Sequence, residues 1–454
     1  MQFVVGIVMA RLLSPEDFGT AALPAVFLAI AQVFIDGGFA LALIRKTEVS
    51  EKDLSTSFYY SLSVGVVLYI IMFFAAPFIA SFYETPILES LVRVSSLTFL
   101  WGPLNTPQTI ILNRKLDFKT PARISIINKI VSGILGISAA YVGYGIWALV
   151  IASLSANVIG VIQTWIAVKW LPKEKFSKES FRYLWNFGNK MIATRLLTTL
   201  YANIVPVFLG KVSGTADLGK YNRSAQFASL PSANFAGVIS NVTFPVLSKL
   251  NGDKQKLAHN YRRMIKVSSF IVFPIMMLLC ALSKPVILLL ITDKWADCIV
   301  LLQIMCFTYM FQPIQILNVN LLQIMGRTDL SLKLEIIKKC IFPIVLIIAV
   351  QHGLIILCLT DFFITMAALV LNTFYTGKLI NVGYLMQVKD FLPSLLLSLI
   401  SVIPAWLIST YTDISYIYQI ITGGILCCSI YFGISILLKM DEIEDVKYMI
   451  NIKK

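Results

Sequence analysis

Apolar stretches of about 20 residues recur along the whole chain, separated by short polar loops. Each is long enough for a helix to cross the hydrocarbon core of a bilayer. Lipid gives a backbone N–H or C=O no partner, so a spanning segment must satisfy its own peptide groups. Long apolar runs of this kind therefore fold as helices. Of the 454 residues, 57% are hydrophobic and 14% charged, against about 25% charged in an average soluble chain. The expected fold class is an all-α polytopic membrane protein with a mean hydropathy of +0.80.

The chain also repeats itself. Ala10-Arg11-Leu12-Leu13-Ser14-Pro15-Glu16-Asp17-Phe18-Gly19 returns as Gly210-Lys211-Val212-Ser213-Gly214-Thr215-Ala216-Asp217-Leu218-Gly219, with small, basic and apolar positions in the same order. At an offset of 210, Pro103 meets Pro313, Asn105 meets Gln315, Gln108 meets Asn318 and Asn113 meets Gln323. Pro77 and Pro285 correspond at nearly that offset. A repeat of about half the chain predicts two pseudo-symmetric six-helix bundles. Their expected limits are 1–168 and 182–380, joined by a charged linker over 169–181, with two extra helices and a tail over 381–454.

Periodicity places 14 helices at 1–12, 18–44, 55–82, 87–112, 122–142, 145–168, 182–209, 218–246, 264–292, 296–325, 329–351, 354–377, 390–411 and 415–438. Only about ten apolar residues precede Ser14, whereas about 25 precede Gly210. The expectation is a chain that begins partway through its first helix. A cleaved leader fits less well, because neither a basic start nor a small-residue cleavage site precedes the loop.

A net charge of +14 raises nucleic acid as a partner, and the placement of the charges argues against it. Of the 38 Lys and Arg residues, four lie in one set of loops (Arg11, Lys211, Lys220, Lys294) and six lie within helices. The rest fall in the other set of loops and the C-terminal tail. Basic loops face the cytoplasm, so both termini are expected there. The seven cysteines fall mostly in apolar segments with no CxxC pair, and the two histidines, His259 and His352, stand apart. Neither a metal site nor a disulfide framework is expected, and no phosphate-binding glycine loop or HExxH motif indicates a cofactor. Asn241-Val242-Thr243 is a glycosylation triplet placed inside an apolar helix, where it has no meaning as a modification site.

An ionisable side chain deep in a membrane helix is costly and marks a candidate site. Six basic residues qualify: Arg93, Lys129, Lys190, Arg195, Arg223 and Lys284. Lys190 and Lys284 are placed to extend toward an interface. Arg195, about 13 residues into its helix, is the leading substrate-cavity candidate, followed by Lys129, Arg223 and Arg93. Asp36, with Gln32 one turn earlier and Gly37-Gly38 after it, is the coupling-ion candidate; it could instead neutralise a basic residue such as Lys129. Asp361 lies in less polar company. Arg223, Gln226, Asn234 and Asn241 fall within about 80° of one helix face, a polar stripe expected to line a wet path. Gln226 and Asn234 join the cavity set. Asn105, Gln108, Gln312, Gln315 and Gln323 add further amides, each also able to serve as helix-packing glue.

These residues resemble a known family. The Ala10–Gly19 motif, Ile35-Asp36-Gly37-Gly38, the turn Leu112-Asn113-Arg114-Lys115-Leu116-Asp117-Phe118, and Gly219-Lys220-Tyr221-Asn222-Arg223-Ser224 resemble the Wzx-type polysaccharide repeat-unit flippases, colanic-acid and teichuronic-acid exporters of the multidrug/oligosaccharidyl-lipid/polysaccharide exporter superfamily. The resemblance implies two six-helix bundles around a central V-shaped cavity, in a bacterial cytoplasmic membrane. It implies a monomeric, non-enzymatic transporter that moves undecaprenyl-pyrophosphate-linked oligosaccharides between leaflets by alternating access, beside polysaccharide polymerase machinery, for lipopolysaccharide, capsule or exopolysaccharide synthesis. Basic residues would neutralise the pyrophosphate, arginine in bidentate fashion, and amides would bond the sugars. The competing reading within the superfamily is a drug or organic-cation antiporter, which calls for an acidic, aromatic cavity; six basic against two acidic intrahelical residues point the other way. A membrane glycosyltransferase or polymerase calls for a large outside loop with catalytic groups, and every such loop here is short.

Overall fold

The computed structural model describes residues 2–250 and 252–444, without the side chains at 2, 238 and 240–242. No strand occurs among the described residues, and all 14 expected segments are helical. The chain runs through α1 (Gln2–Leu12), α2 (Pro15–Asp36), α3 (Phe39–Arg45), α4 (Glu51–Phe82), α5 (Ile87–Ser95), α6 (Thr98–Trp101), α7 (Thr106–Arg114), α8 (Lys119–Tyr141) and α9 (Trp147–Val168). It continues through α10 (Lys178–Val212), α11 (Thr215–Lys249), α12 (Lys254–Ala281), α13 (Ser283–Ile291), α14 (Cys298–Met310) and α15 (Gln312–Ile324). The remainder is α16 (Thr328–Val350), α17 (Leu354–Ile380), α18 (Tyr384–Tyr411) and α19 (Tyr416–Leu437). Among the described residues, ten helical stretches are long and apolar enough to cross a membrane. The protein is an all-α polytopic membrane protein. Its exposed apolar side chains, such as Val67, Phe74 and Phe78 along α4, form the kind of surface that lipid covers.

Four segments are broken where the sequence read as continuous. α2 gives way to α3 at Gly37 and Gly38, both left-handed with φ of 54° and 69°. A 3₁₀ turn, Gly102–Asn105, separates α6 from α7, α12 turns into α13 at Leu282, and α14 meets α15 at Phe311. Pro103 and Pro313, matched in the repeat, sit at two of these breaks. Proline has no N–H to give and its ring collides with the preceding turn, so a helix breaks or bends there.

The chain forms two compact units, residues 1–219 and 220–454. In the first, α10 packs on α2, α3 and α4, and α8 pairs along its length with α9. Packing thus groups α10 with the first half, although the sequence repeat starts its second copy there. One core cluster joins Phe39, Leu43, Phe58, Ile110, Trp170 and Leu184.

The motif residues have local structural causes. Ser14 caps α2: its hydroxyl accepts from Asp17 N at 3.1 Å while the Asp17 carboxylate accepts from Ser14 N at 2.9 Å. Pro15 occupies the first helical position, where a missing N–H costs nothing. Gly19 then lets α2 cross the first turn of α11. A Cβ on Gly19 would stand 1.6 Å from the Thr215 carbonyl oxygen, and one on Gly219 would stand 2.0 Å from that of Pro15. The two copies of the repeated glycine therefore form one crossing. In the Leu112–Phe118 turn, Arg114 donates to the carbonyls of Leu43 and Thr47 at 2.9 and 2.8 Å, closing the end of α3. Asp117 accepts from Thr120, whose side-chain bond holds the carboxyl below the ordinary range.

In the second unit α18 lies along α12 and α19 along α18. Arg262 forks onto Asp390 at 2.9 and 2.7 Å. Gln387, fully buried, donates to Asn318 Oδ1 at 3.0 Å and Thr376 Oγ1 at 3.1 Å and accepts from Asn318 Nδ2 at 3.0 Å. Gln387→Ala leaves the Asn318 amide short of its partners in an apolar surround. It is expected to cost about 2–3 kcal/mol, read as a lowered melting temperature in detergent. An unchanged melt would mean that this network does not fasten α18.

Candidate functional site

Asp36 ends α2 at the glycine break. A Cβ on Gly38 would stand 2.8 Å from Met191 Cβ, and one on Gly188 would stand 2.3 Å from the Gly37 carbonyl oxygen. Only glycines allow α10 to lie this close to the break. The hydroxyls of Tyr60 and Ser61 on α4 donate to the carbonyls of Phe34 and Ile35 just before it. This packing holds Asp36 opposite Arg195, two turns beyond Gly188 on α10. Arg195 Nη1 lies 3.4 Å from Asp36 Oδ2, and Gln32 Nε2 donates to Asp36 Oδ1 at 2.7 Å. The partner of Asp36 is therefore Arg195, not Lys129.

Arg195 is the eighteenth residue of a 35-residue helix, about 25 Å from either end. Its side chain and that of Asp36 remain 42% and 40% exposed. A single long contact to Asp36 engages little of a guanidinium with five donors, so most of its hydrogen-bonding capacity faces open space at mid-helix.

Lys129 lines a separate cleft of about 570 Å³ in the same unit, with Thr109, Ser125, Asn128, Ser132, Ser153 and Asn157 among its walls. It is the middle residue region of α8, 10 residues from Lys119 in a 23-residue helix, or about 15 Å deep. Its ammonium has neither an ion-pair nor a hydrogen-bond partner among the described residues. A cation at mid-helix destabilises the fold unless it serves something. Lys129→Met is expected to raise the melting temperature by about 2–4 °C. A lowered melt would identify a structural role instead.

The remaining candidates are placed elsewhere. Arg93 pairs with Glu89 at 2.8 Å and covers the Phe73 ring at 4.4 Å, a local clasp between α5 and α4. Arg223, in the second unit, is 7% exposed; it donates to Gln226 and stands 5.9 Å from the Trp295 ring centroid. This arrangement suits packing better than ligand capture. Asn234 is exposed and donates back to Leu230 O at 2.8 Å on its own helix. The Asn241 side chain lies outside the described residues, as do Lys447, Lys453 and Lys454. Asp361, expected in less polar company, instead faces Tyr309, Gln312, Gln315 and Lys338 from α14, α15 and α16. That company comes from helices distant in sequence, which helical periodicity on α17 alone does not reveal. No metal-holding cluster of His, Cys, Asp and Glu occurs among the described residues.

Comparison with known proteins adds an independent finding. The family model described as "Polysaccharide biosynthesis protein" matches residues 8–300. The chain is 27% identical to the teichuronic acid biosynthesis protein TuaB of Bacillus subtilis (strain 168), over 71% of this chain and 67% of that one. It is 24% identical to the lipopolysaccharide biosynthesis protein WzxC of Escherichia coli (strain K12), over 76% and 70%. Among solved structures it resembles lipid II flippase MurJ in an inward closed conformation, with a TM-score of 0.77 and 18% identity, over 97% of this chain and 98% of that one. At that identity the likeness shows the fold.

Proposed function

The chain belongs to the polysaccharide biosynthesis protein family, and from that membership we propose that it is a flippase for lipid-linked oligosaccharides in a bacterial cytoplasmic membrane. The substrate class is an undecaprenyl-pyrophosphate-linked repeat unit. The basic loops face the cytoplasm with both termini, and the protein alternates access between leaflets. The observation that carries this reading is the half-open Arg195 guanidinium at mid-helix, lightly held by Asp36, with Lys129, unpaired among the described residues, in a cleft of the same unit.

A pyrophosphate-sugar head group cannot cross hydrocarbon bare, because moving an unpaired anion into a medium of low dielectric costs far more than thermal energy. Arginine fits phosphate with two parallel N–H donors, and each such charge-assisted bond is stronger than a neutral one. Arg195 would hold the phosphates at mid-depth, Asp36 would return to it when the site empties, and Lys129 would offer a second positive charge to the anion from its own cleft. Asp36 is also the coupling-ion candidate, since protonation or cation binding there would release Arg195. No catalytic role is assigned to any residue: translocation breaks no covalent bond. TuaB and WzxC are named for teichuronic acid and lipopolysaccharide biosynthesis, and MurJ for flipping lipid II, which supports a polyprenyl-linked glycan as the class.

The test is binding by the purified chain in nanodiscs. Undecaprenyl pyrophosphate carrying an oligosaccharide should bind, with affinity falling as salt rises, and Arg195→Gln should weaken it. Binding and gradient-driven uptake of an organic cation such as ethidium, with none of the lipid, would move the protein to the antiporter class.

A further inference from the structure

The second unit holds a polar cavity that the phosphate chemistry leaves unused. It has a volume of about 440 Å³ and is walled by Thr308, Tyr309, Gln312, Gln315, Lys338 and Asp361. Lys338 is the eleventh of 23 residues in α16, and Asp361 lies seven residues into α17, so the cavity sits within the depth the helices span. Some of its polar groups are bonded, Gln315 donating to Thr365 O at 3.1 Å, and others find no partner among the described residues. Thr308 Oγ1 and Gln312 Oε1 are enclosed with no hydrogen-bond partner among the described residues, and Thr308 is only 7% exposed. The Asp361 carboxylate makes no hydrogen bond or ion pair among the described residues. Lys338, by contrast, is fixed by Glu335.

Buried polar groups are almost always bonded, and leaving one unbonded costs about 1–3 kcal/mol. A wall holding two enclosed unbonded oxygens and a carboxylate without a partner suits a guest that brings hydroxyl groups. Each hydroxyl both donates and accepts. Asp361 and the Gln312 carbonyl would take hydroxyl protons, the Gln315 amide lies beside them, and the Tyr309 ring offers an apolar face for ring C–H groups. A dehydrated cation fits less well. Hard cations need about six to eight oxygens converging within about 2.5 Å, whereas of the two carboxylates lining this cavity, Asp361 and Glu335, the second is already paired with Lys338 and Lys339.

We propose that this cavity is a subsite for one sugar residue of the transported glycolipid, and that it selects which repeat unit the chain accepts. The proposal rests on the flippase reading and adds selectivity to it. Its test uses the full chain in nanodiscs with two kinds of probe: undecaprenyl pyrophosphate alone, and the same lipid bearing a single hexose, N-acetylhexosamine or uronic acid. At least one sugar-bearing probe should bind about tenfold tighter than the bare lipid. Asp361→Asn and Gln312→Ala should each remove that gain and leave bare-lipid affinity unchanged, which also shows that the variants are folded. If no probe binds the wild type, the flippase reading falls and this one with it. If the bare lipid binds but no sugar improves it, or the gain survives both substitutions, the sugar subsite alone is overturned. Loss of radiolabelled sodium binding in Asp361→Asn with sugar preference intact would make the cavity a cation site and overturn the proposal as well.

Discussion

Gly19→Val is expected to give a protein that melts about 6–12 °C below the wild type and transports little. The crossing of α2 with the first turn of α11 leaves no room for even a methyl group: a Cβ at Gly19 lands 1.6 Å from the Thr215 carbonyl oxygen. The obstacle is backbone, which has no rotamer to escape into, so two helices must part. Overpacking of this kind costs about 3 kcal/mol, the upper end of the usual range, and each kcal/mol lowers the melt of a unit of this size by about 2–4 °C. Gly219→Val should do similar damage from the other side, since its Cβ meets the Pro15 carbonyl oxygen at 2.0 Å. The double variant should lose less than the sum, because both substitutions open the same crossing. Gly424→Ala is the control. Nothing lies within 4 Å of its Cβ, and exchanging glycine for alanine inside a helix is neutral or favourable by up to about 1 kcal/mol. A tolerated valine at Gly19 would contradict the packing described.

Arg195→Ala is expected to lower transport about thirtyfold with little change in stability. The two effects separate because of exposure. Both Arg195 and Asp36 are about two-fifths exposed and their contact is 3.4 Å. A pair of that kind stabilises the fold by at most about 1 kcal/mol. A guanidinium gripping a phosphate is worth about 2 kcal/mol or more per charged hydrogen bond, which sets the thirtyfold. Exchanging the charges, Asp36→Arg with Arg195→Asp, should preserve the melt and leave transport low, since the cation then sits on the wrong helix beside the glycine break. Equal losses of stability and transport in the single variant, both repaired by the exchange, would make the pair structural.

Much of the fold was legible in the sequence because lipid imposes a single solution on an apolar run. All 14 apolar segments are helical where periodicity places them, since each had to close its own hydrogen bonds. The breaks were less legible. Pro103 and Pro313 announce two of them, and Pro285 a third: it has no N–H to offer the carbonyl of Ala281, the last residue of α12, so the helix turns at Leu282. The repeat aligns Gln108 with Asn318, yet the two residues fare differently. Asn318 is bonded to Gln387 on α18, a helix outside the repeat, whereas both polar atoms of the Gln108 amide are buried without a partner among the described residues.

The candidate site follows the same division. Polar residues in apolar helices identified Asp36, Arg195 and Lys129 as unusual, because each is costly in lipid. Which of them meet depended on contacts 159 positions apart, and helical spacing along one element says nothing about those. Asp361 shows the limit most sharply: its own helix offers only Thr360 and Thr365 beside it, and its other polar neighbours arrive from three other helices. Arg93 and Arg223 read alike in sequence, yet Glu89, Phe73 and Trp295 engage them locally.

The measurement that bears most directly on the central claim is leaflet exchange in proteoliposomes. Undecaprenyl pyrophosphate bearing an oligosaccharide would be placed in one leaflet, and its appearance in the other followed with a membrane-impermeant glycan probe. Wild-type protein should move it far faster than protein-free vesicles, Arg195→Ala and Lys129→Ala should slow it, and a lipid without the pyrophosphate should not compete. Exchange no faster than in empty vesicles, from protein that is folded and correctly inserted, would contradict the assignment.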